Sequence, residues 1–265
     1  NYWRDNLGGL NLTDITIDEI MTALDAYAAG RAVRGVGRDK NSKPKLKHLG
    51  RKRSAASYNR MKAALSSMMR YAITKRYLTA TPVKGVPAMT ENNKRERYLS
   101  DSEREKLLNA CKASEWERLR CLIVLALMTG ARKGELMGLK WCDIDIQNRT
   151  ATLARTKNGS PRVLTLPEAA IAELMPFREI GNGLVFGSTR SKGQPFEIKK
   201  HWYAALKKAG IDGFRFHDLR HSTASYLVQA GCTLYEVGEV LGHKSIQTTA
   251  RYAHLGIKHK QALTD

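Results

Sequence analysis

The sequence predicts an α+β chain, mainly helical with one small antiparallel β-sheet, divided into two domains. Three observations carry that prediction. Apolar residues recur at helical spacing over most of the chain. One stretch, 141–166, switches to period two around an Asn-Gly turn. Residues 81–97 mix Pro, Gly and charge without periodicity, as a linker does. The domains are therefore expected at 1–88 and 98–265, joined by 89–97.

Taken in order, residues 16–30 place Ile17, Ile20, Leu24 and Tyr27 on one helical face, and Ser54 stands where it can cap a second helix with the stripe Tyr58, Met61, Leu65, Met68 and Ala72. Between and into these, residues 31–62 hold twelve basic side chains against Asp39 alone. Such a run reads either as a solvated loop followed by a helix or, the favoured reading, as phosphate contacts, with Arg31, Arg34, Lys45, Lys47, Arg51, Lys52, Arg53 and Arg60 as the candidates. Past the linker, Ser100-Asp101-Ser102-Glu103 has capping-box spacing. An apolar helix over 118–128 then ends in Thr129-Gly130-Ala131-Arg132. In the period-two stretch Thr150, Thr152 and Ala154 alternate with Ala151, Leu153 and Arg155, and Asn158-Gly159 turns the chain into Arg162-Val163-Leu164-Thr165-Leu166. From Lys199 onward the pattern is helical again, and Trp202 reads as core rather than DNA contact.

Composition narrows the function. The 265 residues carry 45 Lys+Arg against 25 Asp+Glu, a formal charge of +20, with 42% hydrophobic residues. That is too apolar for a disordered polycation, and the excess charge points to a polyanion, nucleic acid before a membrane surface. The first 97 residues hold 20 basic and 8 acidic side chains, so the shorter segment is the more basic. No apolar run approaches the roughly 20 residues of a membrane span, and no secretory signal is visible. Cys111, Cys121, Cys142 and Cys232 form no C-x-x-C pair, which fits a reducing cytoplasm with neither disulfides nor zinc.

The segment Phe216-His217-Asp218-Leu219-Arg220-His221-Ser222 sets His217, Arg220 and His221 within one helical turn. His217 and His221 have the i, i+4 spacing of a zinc-protease helix. That chemistry needs a Glu directly after the first His, where Asp218 stands, and Arg220 would set a positive charge beside the metal. Upstream lies Thr129-Gly130-Ala131-Arg132-Lys133-Gly134-Glu135-Leu136. Downstream lies Leu241-Gly242-His243-Lys244-Ser245-Ile246-Gln247-Thr248-Thr249-Ala250-Arg251-Tyr252.

With these boxes in view, the sequence resembles the tyrosine recombinases, the phage-integrase family of site-specific DNA recombinases. The family pattern is an Arg in T-G-x-R-x-x-E-L, a Lys on a β-hairpin, H-x-x-R, L-G-H, and a Tyr about nine residues after the last His. All five occur here in order over about 98–255, and the basic segment before them is similar to the family's core-binding domain. The resemblance implies a two-domain clamp around double-stranded DNA, four protomers pairing two sites, and strand cleavage through a 3′-phosphotyrosine. It implies Tyr252 as nucleophile, Arg132 and Arg220 on the phosphate, and Lys157 at the hairpin tip as general acid, with Arg155 its rival. His217 is implied as base and His243 as stabiliser, with Glu135 supporting Arg132. A phenol of pKa about 10 leaves more readily than an alkyl alcohol, so the covalent bond can be resealed without ATP.

No metal and no cofactor is expected, since the guanidiniums supply the positive charge. An excisionase or a DNA-bending host protein are further partners of such enzymes, which work on mobile elements, in the cytoplasm at the nucleoid. The chain opens at Asn1 without a Met, so an arm-type DNA-binding domain is expected to have been removed or never present. A type IB topoisomerase uses a similar residue set, but the L-G-H-x-S-x-x-T-T-x-x-Y form favours a recombinase. A catalytically silent DNA-binding protein is the other alternative, and no catalytic position is missing.

Overall fold

A computed structural model describes residues 2–38, 44–92, 97–153 and 161–256. The chain forms two compact units, Asn1–Arg95 and Glu96–Asp265.

In the first unit, α1 (Tyr2–Leu7) leads to α2 (Ile17–Ala29), β1 (Arg31–Arg38), β2 (Pro44–Lys52) and α3 (Ala55–Thr74). Thr16 and Glu19 close a reciprocal capping box on α2, and the Ser54 hydroxyl accepts from the Ser57 amide to start α3. Ile20 and Leu24 pack against Tyr58, Leu65 and Met69, with Trp3 and Leu7 of α1 completing the core. Three expectations change. Met69, 2% exposed, takes the core position, and Met68 is 50% exposed. At about 100° per residue, Met69 lies about 20° from the direction of Tyr58 and Met68 about 80° away. The Pro/Gly-rich stretch is no linker at its start, because the 3-10 turn Pro82–Gly85 brings Val83 and Val86 into this core. The basic segment is not a loop but a two-stranded antiparallel ribbon, β1 on β2. Its strand signal, spread over scattered Val, Leu and Gly, was masked by charge.

The second unit runs α4 (Asp101–Lys112), α5 (Arg118–Thr129), α6 (Lys133–Met137), β3 (Ile144–Asp145), β4 (Thr150–Leu153), β5 (Arg162–Thr165) and α7 (Glu168–Leu174). It continues with α8 (Lys199–Ala209), α9 (Asp218–Gln229), α10 (Leu234–Leu241) and α11 (Ile246–Ala250). Ser100 and Glu103 form the capping box read from the sequence. α5 is apolar nearly all round and therefore central, packed by α4, α7 and α9. The sheet has the order β3-β4-β5, all antiparallel, with Ala151 opposite Leu164 and both facing the core. β3 is a two-residue edge strand inside the period-two stretch. Trp202 is buried in the main core. All four cysteines are free, and burial pushes the Cys111 and Cys121 thiols up to about 12.

Candidate active site

Two glycines set the backbone of the second unit's polar cluster. α5 ends at Gly130 with φ 59°, and a Cβ there would strike Leu241. α10 ends at Gly242 with φ 66°, where a Cβ would sit 2.9 Å from Cδ of Arg162. Left-handed backbone and lack of room both demand glycine in the T-G-x-R and L-G-H boxes.

Arg132 is the residue before α6. Glu135, buried at the third position of that helix, accepts from the Arg132 amide and from its Nη1, both at 2.8 Å. His217 precedes α9, and Arg220 stands on its first turn. Arg220 is 4% exposed; its Nη1 donates to Gly130 O at 2.7 Å, while its buried Nη2 has no hydrogen-bond partner. One residue-turn on, the Thr223 hydroxyl donates to Leu127 O at 2.8 Å, so α9 satisfies carbonyls that the end of α5 leaves open. Burial, then the like charges of Arg132 and Arg162, lower the Arg220 pKa to about 10. Arg132 and Arg162 pair with Glu135, whose charge offsets part of the repulsion on Arg220.

Arg162, on β5, was not singled out in the sequence. It donates to the carbonyls of Val240 and Thr129 and lies 3.6 Å from Glu135, an ion pair without a hydrogen bond. It joins the base of the β4–β5 hairpin to the ends of α5 and α10. A lone Arg in a strand reads as solvent-facing, so only its position beside two glycine-ended helices reveals its use. Lys157 and Arg155, the hairpin-tip candidates, lie outside the described residues.

The His243 Nδ1 meets the Thr249 hydroxyl at 2.8 Å, and burial with the neighbouring arginines drives its pKa down to about 4. His217 is lowered by burial and by Arg220. Tyr252 follows α11 and is 6% exposed, packed among Ala224, Val228, Val237 and Leu241. Its hydroxyl hydrogen-bonds Nδ1 of His221. His217, the residue expected as base, meets the edge of the His221 ring, at 5.2 Å between centroids. His221 is itself brought down to about 4, by burial first and by His217 next. The cluster therefore holds neutral imidazoles, crowded cations and a buried phenol whose pKa burial raises.

Residues 97–259 match the model of the phage integrase family. The chain belongs to that family. It is 31% identical to the integrase of Salmonella phage P22, covering 97% of this chain and 70% of that protein. It is 33% identical to a shufflon-specific DNA recombinase of Escherichia coli over 66% of this chain, but spans 44% of that relative's length. Among solved structures, a lambda integrase dimer bound to a COC' core site matches with TM-score 0.66 and 25% identity, covering 93% of this chain and 85% of that one. A lambda integrase tetramer bound to a Holliday junction matches with TM-score 0.65 and 26% identity, over 92% and 68% of the two chains. The chain is thus a tyrosine recombinase, a site-specific DNA recombinase, and the type IB topoisomerase alternative is not favoured.

In the first unit of this integrase, Arg31, Lys47, Arg51 and Lys52 are exposed on the ribbon, and Arg60 is exposed on α3. Arg34 and Lys45 lie on the ribbon strands. Arg53 has a structural use as well: its guanidinium stacks 4.0 Å over the Tyr27 ring and donates to Tyr27 O, pinning the ribbon base to α2. Among the described residues no group of His, Cys, Asp and Glu could hold a metal ion, and no helix is long and apolar enough to cross a membrane.

Proposed function

We propose that Tyr252 attacks a phosphodiester of double-stranded DNA, forming a 3′-phosphotyrosine bond and releasing a 5′-hydroxyl. A 5′-hydroxyl of the partner duplex then attacks that bond and frees the phenol. The observation that carries this reading is Arg220: a buried cation with a spare donor, beside like charges, calls for an anion. In the trigonal-bipyramidal transition state the nonbridging oxygens gather charge, and the Arg132 and Arg220 guanidiniums meet two of them. Arg162 and Glu135 act through Arg132, holding its direction.

His217, which burial and Arg220 hold in the neutral form a base needs, takes the phenol proton once Tyr252 leaves His221. His243 hydrogen-bonds a nonbridging oxygen through its Nε2, and Lys157 protonates the departing 5′-oxygen. Arg31, Lys47, Arg51, Lys52 and Arg60 contact phosphates. Four protomers synapse two sites, with an excisionase or DNA-bending protein as further partners, in the service of a mobile element in the bacterial cytoplasm at the nucleoid.

The test uses nicked suicide duplexes copied from the chromosomal junctions that flank the gene. A covalent adduct on a denaturing gel that disappears in Tyr252→Phe supports the reading. A salt-sensitive mobility shift without adduct would mean a silent binding protein.

A further inference from the structure

The β1–β2 ribbon is built against its own stability. An isolated two-stranded ribbon is marginal in water, and the packing of this one is chiefly strand on strand. A Cβ added at Gly35, Gly37 or Gly50 would meet nothing within 4 Å, so the ribbon is open to solvent along its length. Its register makes matters worse: Arg31 is opposite Lys52, and Arg34 is opposite Lys47. Like charges directly across a strand pair repel, and Asp39 is the sole acidic residue between 31 and 62. Val33 and Val36, 38% and 53% exposed, add apolar surface to an otherwise cationic element. Register shifts flank the central pairs, and one falls at Gly37 with φ 112°; such bulges bend and twist a ribbon. At its base the ribbon is firmly held, through Arg53 on Tyr27 and the Arg53 amide to Gly30 O at 3.2 Å.

A tethered, self-repelling, twisted ribbon with methyl groups between its cations has the chemistry of a DNA-reading arm. The major groove is about 12 Å wide and admits a two-stranded ribbon. Phosphates along both rims neutralise the cross-strand repulsion, and valine methyls fit thymine methyls. We propose that residues 31–38 and 44–52 form an arm of the first unit that enters the major groove and is stabilised there, contributing base discrimination as well as charge. The proposal rests on the DNA-binding reading above.

The test measures amide hydrogen exchange of the full chain alone, with a 30-base-pair duplex, and with heparin at matched charge. Groove entry slows the ribbon amides with duplex and leaves them unchanged with heparin. Equal slowing by both would reduce the ribbon to a charge patch and overturn the proposal. If the wild type binds the duplex while ribbon amides exchange at the free rate, the arm falls and the DNA reading stands. If the wild type does not bind duplex at all, the DNA reading falls with it. A Lys47→Ala, Arg51→Ala, Lys52→Ala variant, with an unchanged melting temperature, gives a second readout. Its log Kd against log salt should be shallower by about 2 to 3, at roughly 0.9 per lost phosphate contact. An unchanged slope would exclude these residues from the DNA.

Discussion

The phenol of Tyr252 is hydrogen-bonded to His221, the neighbour of Arg220, and to neither of the imidazoles at 217 and 243. His221 therefore holds the nucleophile in a buried position, and His217 is left to act as the base. His221→Phe should change the rate of adduct formation by less than about tenfold, whereas His217→Ala should lower it by about 10²–10³. Single-turnover cleavage of the suicide duplex separates the two, and a reversed ranking would move the base to His221.

Arg220 divides its guanidinium between Gly130 O and an unmet donor. A lysine ammonium lacks the planar fork whose two nitrogens serve separate positions, so Arg220→Lys should slow cleavage by about 10²–10³ while duplex affinity stays within a few-fold. Fluorescence anisotropy gives the second number. A loss of affinity that matched the loss of rate would mean that Arg220 serves binding alone.

Gly130→Ala should cost about 1–3 kcal/mol, since it meets both a left-handed backbone and Leu241. Gly134→Ala, on the open face of α6 with nothing near, should instead stabilise by about 0.5–1 kcal/mol. Denaturant melts of both variants would show opposite signs.

Both His221 and His243 titrate near 4 when folded, against about 6.5 unfolded. In that window the unfolded chain binds more protons, so stability is complete above about pH 6.5 and is lost as pH falls toward 4. The melting temperature should drop from pH 7 to pH 5, and His243→Gln should flatten that slope. An equal slope in the variant would assign the loss elsewhere.

Arg162→Met keeps much of the side-chain volume and removes the bonds to Val240 and Thr129. It should lower stability by about 1–3 kcal/mol and slow cleavage without weakening DNA binding, because the hairpin base is no longer fixed to the His243 loop.

Much of this architecture could be read before any coordinates, for definite reasons. Capping residues act within four positions of the chain, so Ser54 and Ser100 mark their helices locally. The five motif boxes were legible because chemistry restricts residue type at each place. What stayed hidden depends on neighbours distant in sequence. Met69 replaced Met68 because the geometry of packing chose between adjacent apolar residues. Arg53 was indistinguishable from its cationic neighbours until Tyr27 was seen beneath it. Arg162 and His221 acquire meaning only where α5, α9 and α10 converge.

Around the single carboxylate of Glu135 stand Arg132 and Arg162, which pair with it, and Arg220, which their like charge disfavours. Selection for heat tolerance would meet a conflict there: a substitution that removed the Arg220 charge would relieve that repulsion and silence the enzyme.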